Sequence, residues 1–556
     1  MAFADFLVTD DLTILLGLIT ASVFLLYNLY KPQSLVHPIL LGRQSDIGRV
    51  RNPGESALHR NYGTGLMGMF PKRPARDVQT LLDLVKPEFD APRTLWSTKI
   101  SNPQLKERIA TFGTGLLRAG LTRDSNVLLL LNDGIEFLIT DFALASHSIP
   151  SFTLSSPSLL SSVLDSHPPT AIVIDAGSLA SVLELIYDTN ELSHHVVIVV
   201  GEPDSQTIRA AKHIKLVRWE DIEAEGRTGA PLTSPTPGSH PAPSSVNDVF
   251  TVSFFQDASG QPQAVQLTHE NITAGVTAVR ALLPLSNPLS GLDTIVSAHS
   301  LSTAFGRSVA YTAIYEGASF ATCDSTRLFK ADEALSGLSD FFSLKRYALP
   351  SPTIAFLRPT HLDSLVSSIN STAKGHFLFP LAWRQKHAGI IEGYSTKEGL
   401  WDRLVFEGAR SKVMGEGAAT LRAVVVSGEP LPAALLTPAR IGLSIPLVVA
   451  HTHPLVAAPI FASHPHDLQT FAHADEDVAH VGPPVVNVET KLVGVDDAAI
   501  ERGEDPVGVL HVRGPVVGRV LADGSEQGSK EEVWASTGHR ARAQTNGSFK
   551  VWIAEK

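Results

Sequence analysis

The sequence predicts an α/β protein of several subdomains: parallel sheets covered on both faces by helices, a small β-rich subdomain near the end, and one transmembrane helix at the start. Three observations predict it. Short apolar runs such as VLLLL at 127–131 alternate with amphipathic segments of helical period, the pattern of a sheet buried on both faces. Past Glu489 the runs become short and partly alternating, as in antiparallel strands. The chain opens with a long uncharged apolar stretch.

A length of 556 residues implies several subdomains rather than one core. Hydrophobic content of 44% fits a globular body and excludes a many-span membrane protein. A net charge of -11 argues against general nucleic-acid binding. The single cysteine, Cys323, excludes an internal disulfide, and none of the 21 histidines falls in an HExxH pattern.

The opening stretch runs from Leu12 to Tyr30 (LTILLGLITASVFLLYNLY), 19 residues without a charge. At helical rise it roughly spans the ~30 Å hydrocarbon layer. A signal peptide would want a basic start, whereas Asp5, Asp10 and Asp11 precede it. A core helix is rarely uncharged on every face. The expectation is a membrane anchor within 1–35. Lys31, Arg43, Arg49 and Arg51 follow it, so the positive-inside tendency puts the body in the cytoplasm. An uncleaved anchor of this kind fits the endoplasmic reticulum first, then a lipid droplet, peroxisome or mitochondrial outer membrane. No SKL or KDEL address is present at the C-terminus.

After an irregular stretch to about residue 77, the strand–helix pattern begins. Leu105, Ile109, Phe112 and Leu116 share one helical face. Asn132 and Asp133 are placed to cap a helix whose apolar face is Ile135, Leu138, Phe142 and Ala145. Runs at 171–174 and 196–200 continue the sheet. A Pro-, Ser- and Gly-rich linker occupies 226–245 and closes a first α/β subdomain, 36–245. The runs at 251–255, 294–297 and 423–426 belong to a second, 246–450. The β-rich subdomain takes 451–556.

Residues 254–271 read FFQDASGQPQAVQLTHEN. Asp257 to Gly260 form a small-residue turn after a strand, and 267–271 lead into a helix. Backbone N–H groups in such a turn can hold an anion, although an ordinary strand–helix turn has the same composition.

The stretch resembles the phosphate-binding signature of AMP-forming acyl-CoA synthetases, the adenylate-forming superfamily. Their pattern YTSGTTGxPKG followed by THxN is matched here by FFQDASGQPQA and LTHEN. ERIATFGTGLLRAGL, NDGIEFLITDFALASHSIPSFTL and GLWDRLVF are similar to the long-chain fatty acyl branch. LRAVVVSGEPLP at 421–432 resembles the SGxxPL turn that holds adenine. GVLHVRGP at 508–515 and STGH at 536–539 resemble VRGP and TGD elements. The resemblance spans nearly all of the chain after the anchor. It implies the large N-terminal domain of adenylate-forming enzymes: two αβαβα-type subdomains and a small β-rich one.

By resemblance, the nucleotide-binding positions are Asp257, Ser259, Gly260, Gln263, Ser427, Gly428, Glu429, Pro430, Thr452 and His539. In the family, a carboxylate attacks the α-phosphate of ATP and CoA then displaces AMP. The first step needs hydroxyls, a Lys and magnesium to offset crowded charge. Here the signature keeps one hydroxyl, Ser259, and Gln263 stands at the Lys position. The family's YGxTE element falls in HTHPLVAAP, from His451 to Pro459. No acid is present there, and Val456 or a neighbour occupies the Glu position. His451 and His453 read either as nucleotide contacts or, as lone loop histidines more often are, as polar surface. His539 replaces the ribose-binding Asp and accepts one hydrogen bond where a carboxylate accepts two. Ile553 and Ala554 replace the hinge Asp and Arg, and the chain stops at Lys556, so the family's C-terminal domain is expected to be absent.

The expectation is therefore a membrane-anchored, acyl-CoA synthetase-like protein without confident catalytic residues or a metal site. It would be a pseudoenzyme that binds fatty acid, acyl-CoA or nucleotide, or acts as a scaffold. ATP or AMP with magnesium is implied by resemblance alone. The competing reading is an active long-chain fatty acid–CoA ligase with diverged motifs.

Overall fold

In a computed structural model, the described residues are 10–29, 34–64, 69–188, 196–210, 214–228, 244–328, 337–471, 478–521 and 534–552. Tyr30, Lys31, the central linker 229–243, Ile553 and Ala554 fall outside them.

Three sheets organise the chain. The first has eight strands. In spatial order they are Arg519–Leu521, Pro262–Thr268, Val249–Gln256, Ser151–Leu154, Val127–Leu130, Ala171–Asp175, Val196–Val200 and Lys215–Arg218. The five strands from Ser151–Leu154 to Lys215–Arg218 are mutually parallel, and Val249–Gln256 joins them in parallel. The second sheet, also eight-stranded, centres on Ile354–Leu357, flanked by Thr294–Ser297 and Ala423–Val426. The third is six-stranded and antiparallel through Glu489–Val493, Val507–Arg513, Ala535–Ala543 and Phe549–Trp552. The strands read as apolar runs are buried at every position in Val127–Leu130, Thr294–Ser297 and Ala423–Val426, because helices cover both faces.

Sheets and chain segments do not coincide. Val249–Gln256 and Pro262–Thr268 complete the first sheet from beyond residue 246, and Arg93–Leu95 with Thr98–Ile100 extends the second from far upstream. The irregular stretch before residue 77 supplies Asp46–Ile47 and His59–Arg60 to the third.

The helix expected over Leu105 to Leu116 spans Asn102–Arg118, capped by Ser101 with Gln104. It packs against the helix Trp219–Thr228, which takes up the first residues of the expected linker. A Cβ on Gly226 would stand 1.9 Å from the Thr111 carbonyl, so this crossing requires glycine. Asn132 and Asp133 do not cap the next helix, Ile135–Ser146, whose N-cap is Gly134. The Asn132 amide carbonyl accepts from the Leu328 N–H, and Asp133 accepts from the Ser300 hydroxyl and the Leu301 N–H. Links between segments satisfy these side chains better than a local cap.

A helix forms over Asp11–Leu29, with Leu12, Leu18 and Phe24 exposed. The transmembrane span expected there is not supported. Among the described residues no helix is long and apolar enough to cross a membrane.

Candidate functional site

The signature loop lies at the tip of a β-hairpin. Val249–Gln256 and Pro262–Thr268 pair antiparallel, Phe255 opposite Gln263 and Gln256 opposite Pro262. This corrects the expected strand–turn–helix arrangement, since a whole strand intervenes before the helix His269–Arg280. That helix is capped by a Thr268–Asn271 box. The Asn271 amide also donates to the carbonyls of Pro515 (2.8 Å) and Val517 (3.1 Å), tying VRGP to the hairpin.

The loop donors turn inward. One carboxylate oxygen of Asp257 accepts from the Ser259 N–H (2.9 Å), the Ser259 hydroxyl (2.6 Å) and the Gln261 N–H (2.9 Å). Its other oxygen accepts from Gln263 Nε2 at 3.4 Å. The Gly260 N–H donates to the Asp257 carbonyl at 2.9 Å. Gly260 has φ +81, a conformation that favours glycine, and no atom lies within 4 Å of where a Cβ would sit. The Ser259 hydroxyl and the other hydrogen bonds hold Asp257 below the usual carboxylate range.

Beneath the hairpin lie three histidines. His451 and Thr452 end the strand Leu447–Thr452, His453 follows, and His539 lies in the strand Ala535–Ala543. His453 stands edge-on to Phe255 of the hairpin at 5.8 Å and to His539 at 4.8 Å. Nδ1 of His539 is 3.2 Å from Nε2 of His451. His451 and His453 are buried, not surface residues, because three elements close over them. Burial, then the neighbouring histidines, drives His451 well below its ordinary pKa and His453 to about 3; burial lowers His539. The neutral imidazoles carry no charge to offset a triphosphate.

The SGEPLP turn follows the strand Ala423–Val426, whose neighbour in parallel is Leu447–Thr452. Ser427 and His451 therefore share one sheet edge. The Ser427 hydroxyl is 2.9 Å from Nε2 of His299, a buried residue the sequence reading passed over; only its place just beyond the apolar run 294–297 hinted at it. Gly428 has φ +116, which suits glycine alone. Glu429 is exposed. Together with Pro430, it borders a cavity of about 960 Å³ lined also by Val366, Phe379, Trp383 and Leu435.

Val456 is fully buried and bridges to Val517. It is core and offers no oxygen to a hard cation. The donor set is a poor fit for magnesium-ATP: the Asp257 carboxylate is engaged by its own loop, Gln263 carries no charge, Glu429 is exposed on the SGEPLP turn, and the groups beneath the hairpin are imidazoles and hydroxyls. Among the described residues, the one group with metal-like spacing is Cys323, Asp340 and His361, buried together. There His361 Nε2 lies 2.9 Å from Asp340.

The hairpin, the three sheets and this edge match the fold of the large domain of adenylate-forming enzymes. The model of the AMP-binding enzyme family matches residues 87–521, and the chain belongs to that family. It is similar to the peroxisomal long chain acyl-CoA synthetase 7 of Arabidopsis thaliana, with 24% identity over 79% of this chain and 59% of the relative. It is also similar to long-chain-fatty-acid–CoA ligase 5 of Mus musculus, with 22% identity over 81% of this chain and 63% of the relative. The chain thus spans about three fifths of the length of these relatives. The crystal structure of the anthranilate CoA ligase AuaEII in complex with anthranoyl-AMP has the same fold. Its TM-score is 0.59 at 15% identity, covering 86% of this chain and 78% of that one.

Proposed function

We propose that this family member binds a fatty acyl ligand, as free acid or CoA thioester, without adenylating it. The observation that carries the reading is the donor set around the signature hairpin. Gln263 stands at the Lys position, buried Val456 at the Glu position and neutral His539 at the Asp position. Each lost donor costs on the order of 10²- to 10³-fold in such a transition state. The cavity beside Pro430, whose mixed lining includes an apolar wall of Val366, Phe379, Trp383 and Leu435, supports an acyl occupant, as do the acyl substrates in the relatives' names.

Localisation belongs to the same proposal. The protein sits at a cytoplasmic membrane face, the endoplasmic reticulum first, on the exposed apolar side chains of the helix Asp11–Leu29. There it acts as a lipid-binding or scaffold module.

Purified protein with ATP, magnesium and palmitate is expected to give no pyrophosphate exchange, while palmitate or palmitoyl-CoA raises the unfolding temperature. Robust exchange would overturn the reading in favour of an active fatty acid–CoA ligase. Absence of any acyl-dependent shift would remove the lipid-binding part.

A further inference from the structure

We infer that Asp257 is an intramolecular stand-in for phosphate and the residue that bars phosphate-bearing ligands from the signature loop. This rests on the non-adenylating reading above and deepens it, by naming the ligand class the site rejects and the group that rejects it.

A phosphate-binding loop works because several backbone N–H groups and hydroxyls converge on one anion-sized space. In this loop they converge on a carboxylate of the chain itself. The N–H groups of Ser259 and Gln261, the Ser259 hydroxyl and the Gln263 amide all donate to Asp257 side-chain oxygens. The Gly260 N–H is taken by the Asp257 carbonyl. The side chain at the position where a Lys would greet phosphate is thus committed to the same anion.

The arrangement depends on one substitution. Against the pattern YTSGTTGxPKG, Asp257 stands at the first glycine. Glycine there leaves the centre of the turn vacant, whereas aspartate fills it with two acceptor oxygens and a negative charge. The carboxylate is ionised at neutral pH, as an ordinary aspartate is, and these hydrogen bonds favour that form further. An incoming phosphate would have to take donors from Asp257 and then sit beside it, like charge against like. The turn itself is kept: Gly260 is left-handed with open space around it, and Pro262 follows it into the second strand. The anion site is built and already filled.

The test uses the full chain, with Asp257→Gly and Asp257→Asn. Glycine vacates the space. Asparagine keeps a short acceptor that holds the turn but removes the charge, which guards against a glycine variant that fails to fold. Inorganic pyrophosphate and ATP, each with and without magnesium, are titrated calorimetrically. Unfolding temperatures serve as the fold control. The wild type is expected to show no saturable binding below about 1 mM. Asp257→Gly is expected to tighten pyrophosphate binding by about tenfold or more, with Asp257→Asn between the two. Wild-type binding as tight as that of Asp257→Gly would overturn the inference. So would folded variants that gain nothing. Pyrophosphate exchange by the wild type would instead sink the non-adenylating reading, so the two failures are told apart.

Discussion

Nδ1 of His539 and Nε2 of His451 stand 3.2 Å apart, a hydrogen bond that needs one nitrogen protonated and the other bare. Two residues drawn from distant parts of the chain thus share a single proton. His453 closes the cluster against Phe255. At the position where the family pattern has the ribose-binding Asp, this chain has His539, half-buried against the buried His451 and His453.

The cluster makes stability fall in acid. His453 is held near 3 when folded and titrates near 6.5 when unfolded. Its contribution is therefore complete above about pH 6.5 and lost as pH falls toward the folded value, by at most about 1.4 kcal/mol per pH unit. Asp133 and Asp175, raised to about 6 by burial, bend the curve the other way. The comparison is thus with His453→Asn. Thermal unfolding from pH 7.5 to 4.5 is expected to fall more steeply for the wild type, and parallel curves would refute the assignment.

Asn271 is expected to matter more than its capping partner. Thr268→Ala removes one cap bond, a cost of about 1 kcal/mol. Asn271→Ala also frees the Thr268 N–H and strips donors from the carbonyls of Pro515 and Val517. Its expected cost is about 2–3 kcal/mol in urea unfolding. Asn271→Asp, which keeps the cap and loses the two donors, should fall between.

Asp141 and Arg307 form a fully buried pair, 3.4 Å apart, with the Arg307 guanidinium over Phe250 at 5.1 Å. Asp141→Ala strands that cation in the core, and about 3–5 kcal/mol should be lost. The double variant Asp141→Leu, Arg307→Met is expected to cost less than Asp141→Ala alone, since it removes both charges. A greater loss in the double variant would show that the pair itself stabilises the fold.

Rebuilding the family acid is expected to fail. Val456→Glu forces a carboxylate into a fully buried site, lowering stability by several kcal/mol. Unfolding temperature should drop and no pyrophosphate exchange appear. A stable, magnesium-binding variant would show that the site can still open to solvent.

The layered fold was legible because burial on two faces writes itself as short apolar runs: 127–131, 294–297 and 423–426 all became buried strands. The helix Asn102–Arg118 was legible from its period. The hairpin was less so, since Pro262–Thr268 looks like part of a strand–helix turn until its partner strands are known. Its pairing with Arg519–Leu521 leaves no local trace, because the two lie far apart in the chain. The histidines were misjudged for a related reason. Polar residues in a short segment look exposed, and only the packing of three distant elements buries them. The role of Asp257 has a local signal: an aspartate two residues before a serine in a glycine turn is an acceptor for the following N–H groups.

The pairing of Arg519–Leu521 with Pro262–Thr268 has a consequence for biogenesis. The hairpin's outer edge emerges from the ribosome roughly 250 residues before the strand that covers it, a wait on the order of tens of seconds at ordinary elongation rates. Throughout that interval an unpaired β edge is offered to any neighbouring nascent chain. Polysome-bound intermediates halted between residues 270 and 515 should therefore recruit chaperones or self-associate, and release from that hazard should coincide with synthesis of residue 521.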